Sequence, residues 1–209
     1  MTEQTDLWQG PFGDFYQERN KLNDKEVQRR VIFLEGILKV IYGHTGAVPK
    51  SIYELGAGQG PNMRAFEILG PKYNQALSLY ATEINQKARL ALTENCKTVD
   101  VIDLPTSPVA DLVMTYGVLI HVHPAHLKHV MEHLYTASNR WILCVEYFAP
   151  ETRPIPYRGE KSALWLDDYG SKWLEACPNM MVLGYGFMWK KTTGLDNVTF
   201  WLFEKKKDK

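Results

Sequence analysis

Apolar and polar positions along this chain alternate between two periods, and the alternation predicts strands separated by helices. Apolar runs of roughly four to eight residues are typical of buried strands, whereas apolar residues three and four apart are typical of helices that bury one face. The predicted strands cover residues 50–55, 76–82, 98–102, 111–115 and 140–147. Helices are predicted from the Gly-rich turn at 56–60 to about residue 69, and at residues 85–95 and 124–137. This order indicates an α/β fold with a doubly wound parallel sheet and right-handed crossovers.

The two ends of the chain follow other patterns. Residues 8–16 are aromatic and predicted to be irregular, and a long helix is predicted from Asn23 or Asp24 until Gly43 and Gly46 end it. Its apolar positions are Val27, Phe33, Leu34, Ile37, Leu38 and Ile41. After the fifth strand we expect a Pro-rich loop, a helix at about 166–176, and two strands at 181–189 and 197–204. Gly194 and the pair Asp196-Asn197 favour a turn between these strands.

The composition predicts one domain, with residues 1–45 forming an N-terminal lid and helix and residues 46–209 forming the core. Lys+Arg and Asp+Glu are balanced at 24 each, and this balance argues against a nucleic-acid partner, because phosphate contacts call for a basic excess. No apolar run approaches the roughly 20 residues of a membrane-spanning helix. The polar N-terminus lacks a secretion pattern, and the three cysteines suggest free thiols. We therefore expect a cytoplasmic protein, monomeric or homodimeric.

The Gly-rich turn Glu54-Leu55-Gly56-Ala57-Gly58-Gln59-Gly60 follows the first predicted strand and opens a helix. Glycine there lets bare backbone approach a ligand and permits positive φ. A dinucleotide-binding loop would carry its third glycine at position 61, which is Pro61. Proline also removes an N–H that a bound pyrophosphate would use. The turn instead resembles the (Asp/Glu)-x-Gly-x-Gly-x-Gly form of methyltransferases that use S-adenosylmethionine, a cofactor without phosphate.

Residues that follow the next strands complete the predicted cofactor site. Glu83 comes directly after the second strand, at the position where an acidic residue binds ribose hydroxyls, and Ile84 is next to it. Asp103 and Leu104 follow the third strand and are predicted to contact adenine. Tyr116 and Gly117 follow the fourth strand and are expected to line the same cleft.

Five of the six histidines lie between His121 and His133, and they raise a competing hypothesis. His129-Val130-Met131-Glu132-His133 matches the H-x-x-E-H pattern of one class of zinc hydrolases. On the predicted helix, however, His126, His129 and His133 lie away from the apolar stripe and point to solvent. We therefore predict no metal site and keep a zinc hydrolase as a remote alternative.

His121 and His123 are placed at the end of the fourth strand, where ligands of open α/β sheets bind. An unperturbed imidazole titrates near neutral pH, so His121 is the first candidate for a general base. A structural histidine that binds a neighbouring loop is the alternative. His123 is the weaker candidate and is assigned to the acceptor side of the site.

Several segments together resemble the methyltransferase family associated with pseudaminic acid biosynthesis. Similar enzymes are also linked to methylated phosphoramidate groups on bacterial surface glycans. The segments include Tyr116-Gly117-Val118-Leu119-Ile120-His121-Val122-His123-Pro124, Glu146-Tyr147-Phe148-Ala149-Pro150 and Ile155-Pro156-Tyr157-Arg158-Gly159-Glu160-Lys161. The resemblance implies a Rossmann-like class I methyltransferase fold, with a mostly parallel seven-stranded sheet, a C-terminal antiparallel hairpin and helices on both faces. It implies S-adenosyl-L-methionine as cofactor, with S-adenosyl-L-homocysteine as the product.

Beside this resemblance, further residues acquire expected roles. Tyr16 and Arg19 are expected to fold over the cofactor as a lid, with Arg19 paired to its carboxylate. Glu146 and Tyr147 join His121 as candidate catalytic residues. The acceptor is expected to be a small anionic molecule, such as a sugar or a surface-glycan precursor, methylated on oxygen or nitrogen. Its predicted binding residues are His123, Arg153, Tyr157, Arg158 and Lys161. Another small metabolite or RNA remains an alternative acceptor.

Overall fold

The computed structural model describes residues 3–103, 105–157 and 160–206, with the side chains of residues 160–162 left out. Within these ranges seven strands form one sheet in the order β3-β2-β1-β4-β5-β9-β8. The strands are β1 Ser51–Leu55, β2 Ser78–Thr82, β3 Val99–Val101, β4 Ala110–Tyr116, β5 Ser138–Glu146, β8 Met180–Met188 and β9 Val198–Lys205. Strands β1 to β5 pair in parallel, and β9 runs antiparallel to both β5 and β8. This architecture confirms the predicted fold class.

Helices cover both faces of the sheet. They are α1 Glu3–Gln9, α2 Pro11–Arg19, α3 Asp24–Thr45, α4 Pro61–Lys72, α5 Gln86–Asn95, α6 Pro124–Ala137, α7 Tyr169–Ala176 and the short α8 Lys190–Thr193. Successive strand residues point to opposite faces, so Ile52 packs in the cluster under α3, α4 and α5, and Tyr53 in the cluster under α6 and α7. No helix in these ranges is long and apolar enough to cross a membrane.

The two ends of α3 are determined by residues next to them in the sequence. The side chain of Asn23 accepts a hydrogen bond from the Glu26 N–H and caps the first turn, while Gly46 takes a left-handed conformation after the last turn. Both agree with the predicted start and end of this helix. Helix α6 likewise occupies the predicted residues 124–137.

Two segments correct the sequence-based expectations. Residues 8–16, predicted to be irregular, lie mainly in α1 and α2, with Gly10 between the helices. The predicted Pro-rich loop contains β6 Arg153–Tyr157, which pairs with β7 Glu160–Leu166 in a separate two-stranded sheet. Proline removes a ladder N–H, and a two-stranded sheet, in which each strand has a free edge, tolerates that loss.

Strand order reverses between β1 and β4, since β2 and β3 lie on one side of β1 and β4 and β5 on the other. Crossovers leave in opposite directions at such a point, and the carboxyl ends of the two strands border a crevice where ligands of open α/β sheets bind. The fold therefore places Glu54 at the end of β1 and Tyr116 at the end of β4 beside a natural binding site.

Candidate active site

A cavity of about 650 Å³ opens at the carboxyl ends of β1, β2 and β4. This volume lies within the range of roughly 300–1,000 Å³ that small-molecule sites occupy. The loop after β1 borders the cavity, and residues that follow β4 form one wall. Helices α1 and α2 supply the opposite wall through Trp8, Tyr16, Gln17 and Arg19.

The loop between β1 and α4 is built from glycines in the left-handed region. Gly56, Gly58 and Gly60 have φ values of 67°, 57° and 88°, which residues with a Cβ atom rarely adopt. A Cβ on Gly56 would lie 2.7 Å from Cγ2 of Val118, whereas one on Gly58 would meet no atom within 4 Å. The loop therefore packs tightly against the turn after β4 at Gly56 and leaves bare backbone along the cavity at Gly58.

Glu83 ties this loop to the end of β2. Its two carboxylate oxygens accept hydrogen bonds from the N–H groups of Gly58 and Asn85, each at 2.8 Å. The side chain is only 9% exposed, and burial raises its pKa. A carboxylate has about four lone-pair sites, so Glu83 keeps acceptor capacity for a ligand in the cavity.

Glu54 and Asn62 form the buried floor of the cavity. Nδ2 of Asn62 donates to Oε1 of Glu54 at 2.6 Å, while no described residue hydrogen-bonds Oε2. Glu54 is 1% exposed, and burial raises its pKa to about 7. An acceptor this deeply buried is costly unless a ligand donor reaches it.

Helices α1 and α2 are held over the cavity by polar contacts. Nε2 of Gln59 donates to the carbonyl of Gln17 at 2.8 Å, and Nδ2 of Asn85 donates to Oδ1 of Asp14 at 2.9 Å. The ring of Trp8 lies 4.2 Å from that of His121, measured between centroids. These two helices thus close the cavity from the side opposite the sheet.

His121 was predicted to end the fourth strand. It instead ends a 3₁₀ turn, Leu119–His121, that follows β4. Its Nδ1 lies 2.7 Å from the carbonyl oxygen of Ala163, and because a carbonyl only accepts, Nδ1 carries the proton and Nε2 keeps a lone pair. Burial lowers the pKa of His121 to about 4. The imidazole is therefore neutral at physiological pH and a weak proton acceptor.

Glu146 is fully buried below the cavity and does not line it. Its Oε1 accepts hydrogen bonds from the N–H groups of Val118 and Leu119, at 3.1 and 3.0 Å, and burial raises its pKa to about 7. This placement favours a role in shaping the turn after β4 over direct contact with a ligand.

The raised pKa of Glu146 predicts a pH-dependent stability. The folded-state pKa of about 7 exceeds the ordinary glutamate value of 4.5, so the stabilisation by the protonated side chain is complete below pH 4.5 and is lost as pH rises through 7. The free energy of unfolding of the unsubstituted protein should fall between pH 5 and pH 8 as Glu146 ionises. Glu146→Gln mimics the neutral acid, so its free energy of unfolding should fall by roughly 1–3 kcal/mol less over the same interval. Urea unfolding at both pH values measures the difference. Equal losses in both proteins would contradict the prediction.

No protein-family model matches the chain, and no curated protein matches its sequence. Solved structures do match over nearly its full length. The plantazolicin methyltransferase BpumL, in complex with a desmethylPZN analog and SAH, aligns with a TM-score of 0.65 at 12% identity over 97% of this chain and 95% of that one. The fold is that of class I methyltransferases.

Two further neighbours share this fold. The magnesium protoporphyrin IX methyltransferase from Synechocystis PCC 6803, with bound SAM, gives a TM-score of 0.65 at 13% identity over 99% of both chains. The 1,6-didemethyltoxoflavin-N1-methyltransferase from Burkholderia thailandensis, with S-adenosylhomocysteine bound, gives 0.66 at 13% identity over 98% of this chain and 87% of that one. At these identities the likeness establishes the architecture.

Most of the predicted site residues meet at the cavity. Those that line it are Tyr16, Arg19, Glu54, Gly56, Ala57, Gly58, Glu83, Ile84, Tyr116, Gly117, His121, His123, Tyr147 and Tyr157. His123 also caps α6, since its Nδ1 accepts from the Ala125 N–H.

Other predicted residues lie elsewhere. Gly60 supports the loop from behind, next to Leu92 and Cys96. Asp103 points to solvent with 82% of its side chain exposed and pairs with Arg89 at 2.5 Å, so the structure does not bring it to the cavity. Arg153 is exposed at the start of β6 and does not line the cavity either. Leu104, Arg158 and the side chain of Lys161 fall outside the described residues.

The histidines of the H-x-x-E-H segment are exposed on α6, as predicted. Nε2 of His133 lies 2.6 Å from the hydroxyl oxygen of Ser107, within hydrogen-bond distance. Within the described ranges, no group of three or more His, Cys, Asp and Glu side chains is placed to hold a metal ion.

The cavity also contains residues that the sequence reasoning missed. Trp8, Gln59, Asn62 and Asp196 line it, and so does Arg30 from the second turn of α3. Arg30 could have been found, because it stands three residues after Val27 and four before Leu34, on the apolar stripe of α3. A charged side chain at such a position is rare, and it is normally paired with a group of opposite charge.

Proposed function

We propose that this protein is an S-adenosylmethionine-dependent methyltransferase that acts on a small molecule. One observation supports the proposal most strongly. The glycine loop, with its left-handed residues, is hydrogen-bonded to Glu83 at the point where the strand order of a class I methyltransferase sheet reverses. The bare backbone at Gly58 and the unpartnered Oε2 of Glu54 fit the cofactor. When bound, S-adenosylmethionine would supply an electrophilic methyl group on its sulfonium sulfur, for transfer to an oxygen or nitrogen nucleophile with S-adenosylhomocysteine as the leaving group.

The residues of the chain would mainly bind, orient and exclude water. Glu83 would accept hydrogen bonds from the ribose hydroxyls of the cofactor, and Glu54 would accept one from its ammonium group. Tyr147 lies after β5 on the cavity wall, and burial and the carboxylate of Asp196 keep its pKa well above its usual range, so its hydroxyl stays protonated. Positioning of this kind accounts for much of the rate of a bimolecular displacement.

Proton removal from the acceptor would fall to Nε2 of His121 if the acceptor is a hydroxyl. With a pKa of about 4, His121 accepts a proton poorly in the empty site, and a general base works best with a pKa near the operating pH. An acceptor hydroxyl with a lowered pKa would need a weaker base. His121 would otherwise serve as a hydrogen-bond acceptor that orients the nucleophile.

For the acceptor, we propose a small anionic molecule such as a nonulosonate sugar or a phosphoramidate-bearing glycan precursor. The resemblance of the Tyr157-Arg158-Gly159 segment motivates this choice, and the cations Arg19 and Lys21 on the cavity lining support it. Tyr157 belongs to the same lining. Another small metabolite, or RNA, is the alternative acceptor, and the balanced net charge disfavours RNA.

Calorimetry with S-adenosylmethionine and S-adenosylhomocysteine tests the cofactor directly. We expect one binding site per chain for each compound, and an absence of measurable binding would overturn the proposed activity. A metal analysis of the purified protein that found one zinc per chain would favour the hydrolase alternative instead.

Mass spectrometry tests the acceptor. Nucleotide-activated sugars and glycan precursors would be incubated with protein and cofactor, and the product searched for an added methyl group. We expect Arg158→Ala to weaken acceptor binding and to leave cofactor binding unchanged. Normal turnover by that variant would show that the anionic-acceptor hypothesis is wrong.

A further inference from the structure

Arg30 is a buried cation that the fold places beside the cavity. It lies on the apolar stripe of α3 and is 8% exposed, yet it lines the cavity together with Glu54 and Asn62. Charged side chains are almost never buried unless they are paired, because removal from water costs several kcal/mol. The position therefore demands a compensating partner.

The described partners of Arg30 leave part of its donor capacity unused. One terminal nitrogen donates to Oε1 of Glu26 at 3.1 Å and the other to Oδ1 of Asn62 at 3.3 Å. No described residue hydrogen-bonds Nε, although it is shielded from solvent. A guanidinium has five N–H donors in a planar fork that matches a carboxylate.

Tyr116 adds a second unused donor at the same place. The guanidinium of Arg30 lies 3.6 Å from the centroid of the Tyr116 ring, a cation–π contact that fixes the planar group. The Tyr116 hydroxyl is buried, and no described residue hydrogen-bonds it. Burial raises the pKa of Tyr116 to about 12, so the hydroxyl keeps its proton and can donate.

Asn62 connects this pair of donors to an unused acceptor. Its Oδ1 accepts from Arg30 and its Nδ2 donates to Glu54, whose Oε2 has no described partner. A buried cation and a buried carboxylate thus flank one amide. This arrangement complements a zwitterionic amino acid, with its carboxylate toward Arg30 and its ammonium toward Glu54.

We propose that Arg30, assisted by the hydroxyl of Tyr116, binds the carboxylate of the amino-acid end of the cofactor. The proposal rests on the proposed function and replaces Arg19, which the sequence favoured for this contact. Arg19 also lines the cavity but is exposed in the last turn of α2. A hydrogen-bonded ion pair is stronger in the desolvated position, since water screens the exposed one.

The experiment compares two ligands that differ in the amino-acid group. S-Adenosylhomocysteine carries the carboxylate and the ammonium, whereas methylthioadenosine keeps the adenosine and the sulfur and lacks both. We expect Arg30→Met to weaken binding of S-adenosylhomocysteine roughly 10- to 100-fold, the usual range for hydrogen bonds to a charged group. Binding of methylthioadenosine should stay within about twofold, which also shows that the cavity is intact.

Three further variants sharpen the comparison. Arg30→Lys keeps the charge without the planar fork and should lose less affinity for S-adenosylhomocysteine than Arg30→Met. Tyr116→Phe should lose roughly 3- to 10-fold, again for that ligand alone. Lys39→Met removes a cation from the exposed side of the same helix and serves as the control, with no change for either ligand.

Each alternative result overturns the assignment of Arg30. Unchanged affinity in Arg30→Met would exclude the contact, and an equal loss for both ligands would show that Arg30 only supports the cavity. A selective loss in Arg19→Met without one in Arg30→Met would assign the carboxylate to Arg19. Failure of the unsubstituted protein to bind either ligand would overturn the proposed function as well, which separates the two hypotheses.

Discussion

Replacement of Glu83 by alanine is expected to weaken S-adenosylhomocysteine binding about 100-fold or more. The substitution removes both carboxylate oxygens, which are the acceptors proposed for the ribose hydroxyls, and each hydrogen bond to a charged group contributes roughly 1.5–3 kcal/mol. It also removes the carboxylate that accepts from the Gly58 N–H at 2.8 Å and so holds the glycine loop in place. Isothermal calorimetry measures the affinity, and thermal unfolding reports the folded state.

Two other variants decide how this result is understood. Glu83→Gln keeps one carbonyl acceptor in nearly the same volume and should bind with intermediate affinity. Glu94→Ala removes an exposed carboxylate from α5 and should leave the affinity unchanged. If Glu83→Ala remained folded and bound S-adenosylhomocysteine as tightly as the unsubstituted protein, Glu83 would have no role in ribose binding.

The parts of this site that local sequence predicted are those in which backbone conformation decides the outcome. A glycine triplet with positive φ after a buried strand leaves little freedom for the chain, and the acidic residue at the end of the next strand follows from the parallel pairing of β1 and β2. Such features depend on a few neighbouring residues. The positive φ values of the loop and the position of Glu83 after β2 agree with the prediction, and the ribose contact of Glu83 stays a prediction.

Side-chain direction at a strand end was predicted less well. Asp103 follows the third strand as expected, but its carboxylate pairs with Arg89 in solvent. Glu146 is the last residue of β5, yet its carboxylate points below the cavity and accepts from the N–H groups of Val118 and Leu119. Strand order tells which edge of a sheet a residue reaches, whereas its direction depends on the parity of the strand's last residue and on tertiary partners.

The N-terminal segment shows the limit of periodicity more clearly. Helices α1 and α2 are short, and no residue of α1 is buried, so neither carries the long apolar stripe by which helices are recognised. Aromatic contacts with the rest of the protein hold them in place instead, Trp8 against His121 and Phe12 against Tyr157, at 4.2 and 6.0 Å between ring centroids. Only the folded core supplies the surface on which these contacts become favourable.

That segment carries the second large expected effect, at Gly13. A Cβ on Gly13 would lie 1.9 Å from the carbonyl oxygen and 2.8 Å from the carbonyl carbon of Trp8. Both atoms belong to the backbone, so α1 must move away from α2 when Gly13→Ala is made. Trp8 would then leave the ring of His121, which it contacts at 4.2 Å between centroids.

We expect Gly13→Ala to weaken S-adenosylhomocysteine binding about 10-fold or more, since relief of such overpacking typically costs roughly 1–3 kcal/mol. The melting temperature of the core should change little, because neither α1 nor α2 contributes to the two buried clusters that flank the sheet. Limited trypsin digestion should cut faster after Arg19 and Lys21, at the junction of α2 and α3. Calorimetry, thermal unfolding and digestion measure the three effects separately.

Gly36→Ala is the matched control, because a Cβ at this position in α3 meets no atom within 4 Å. Alanine in a helix interior should raise the free energy of unfolding by up to about 1 kcal/mol and leave ligand binding unchanged. If Gly13→Ala instead bound S-adenosylhomocysteine normally while trypsin cut it faster, α1 and α2 would be only a covering outside the binding site. A loss of affinity without a loss of core stability means that the contacts of Trp8 and Tyr16 over the cavity are part of the site itself, although they add nothing to the stability of the fold.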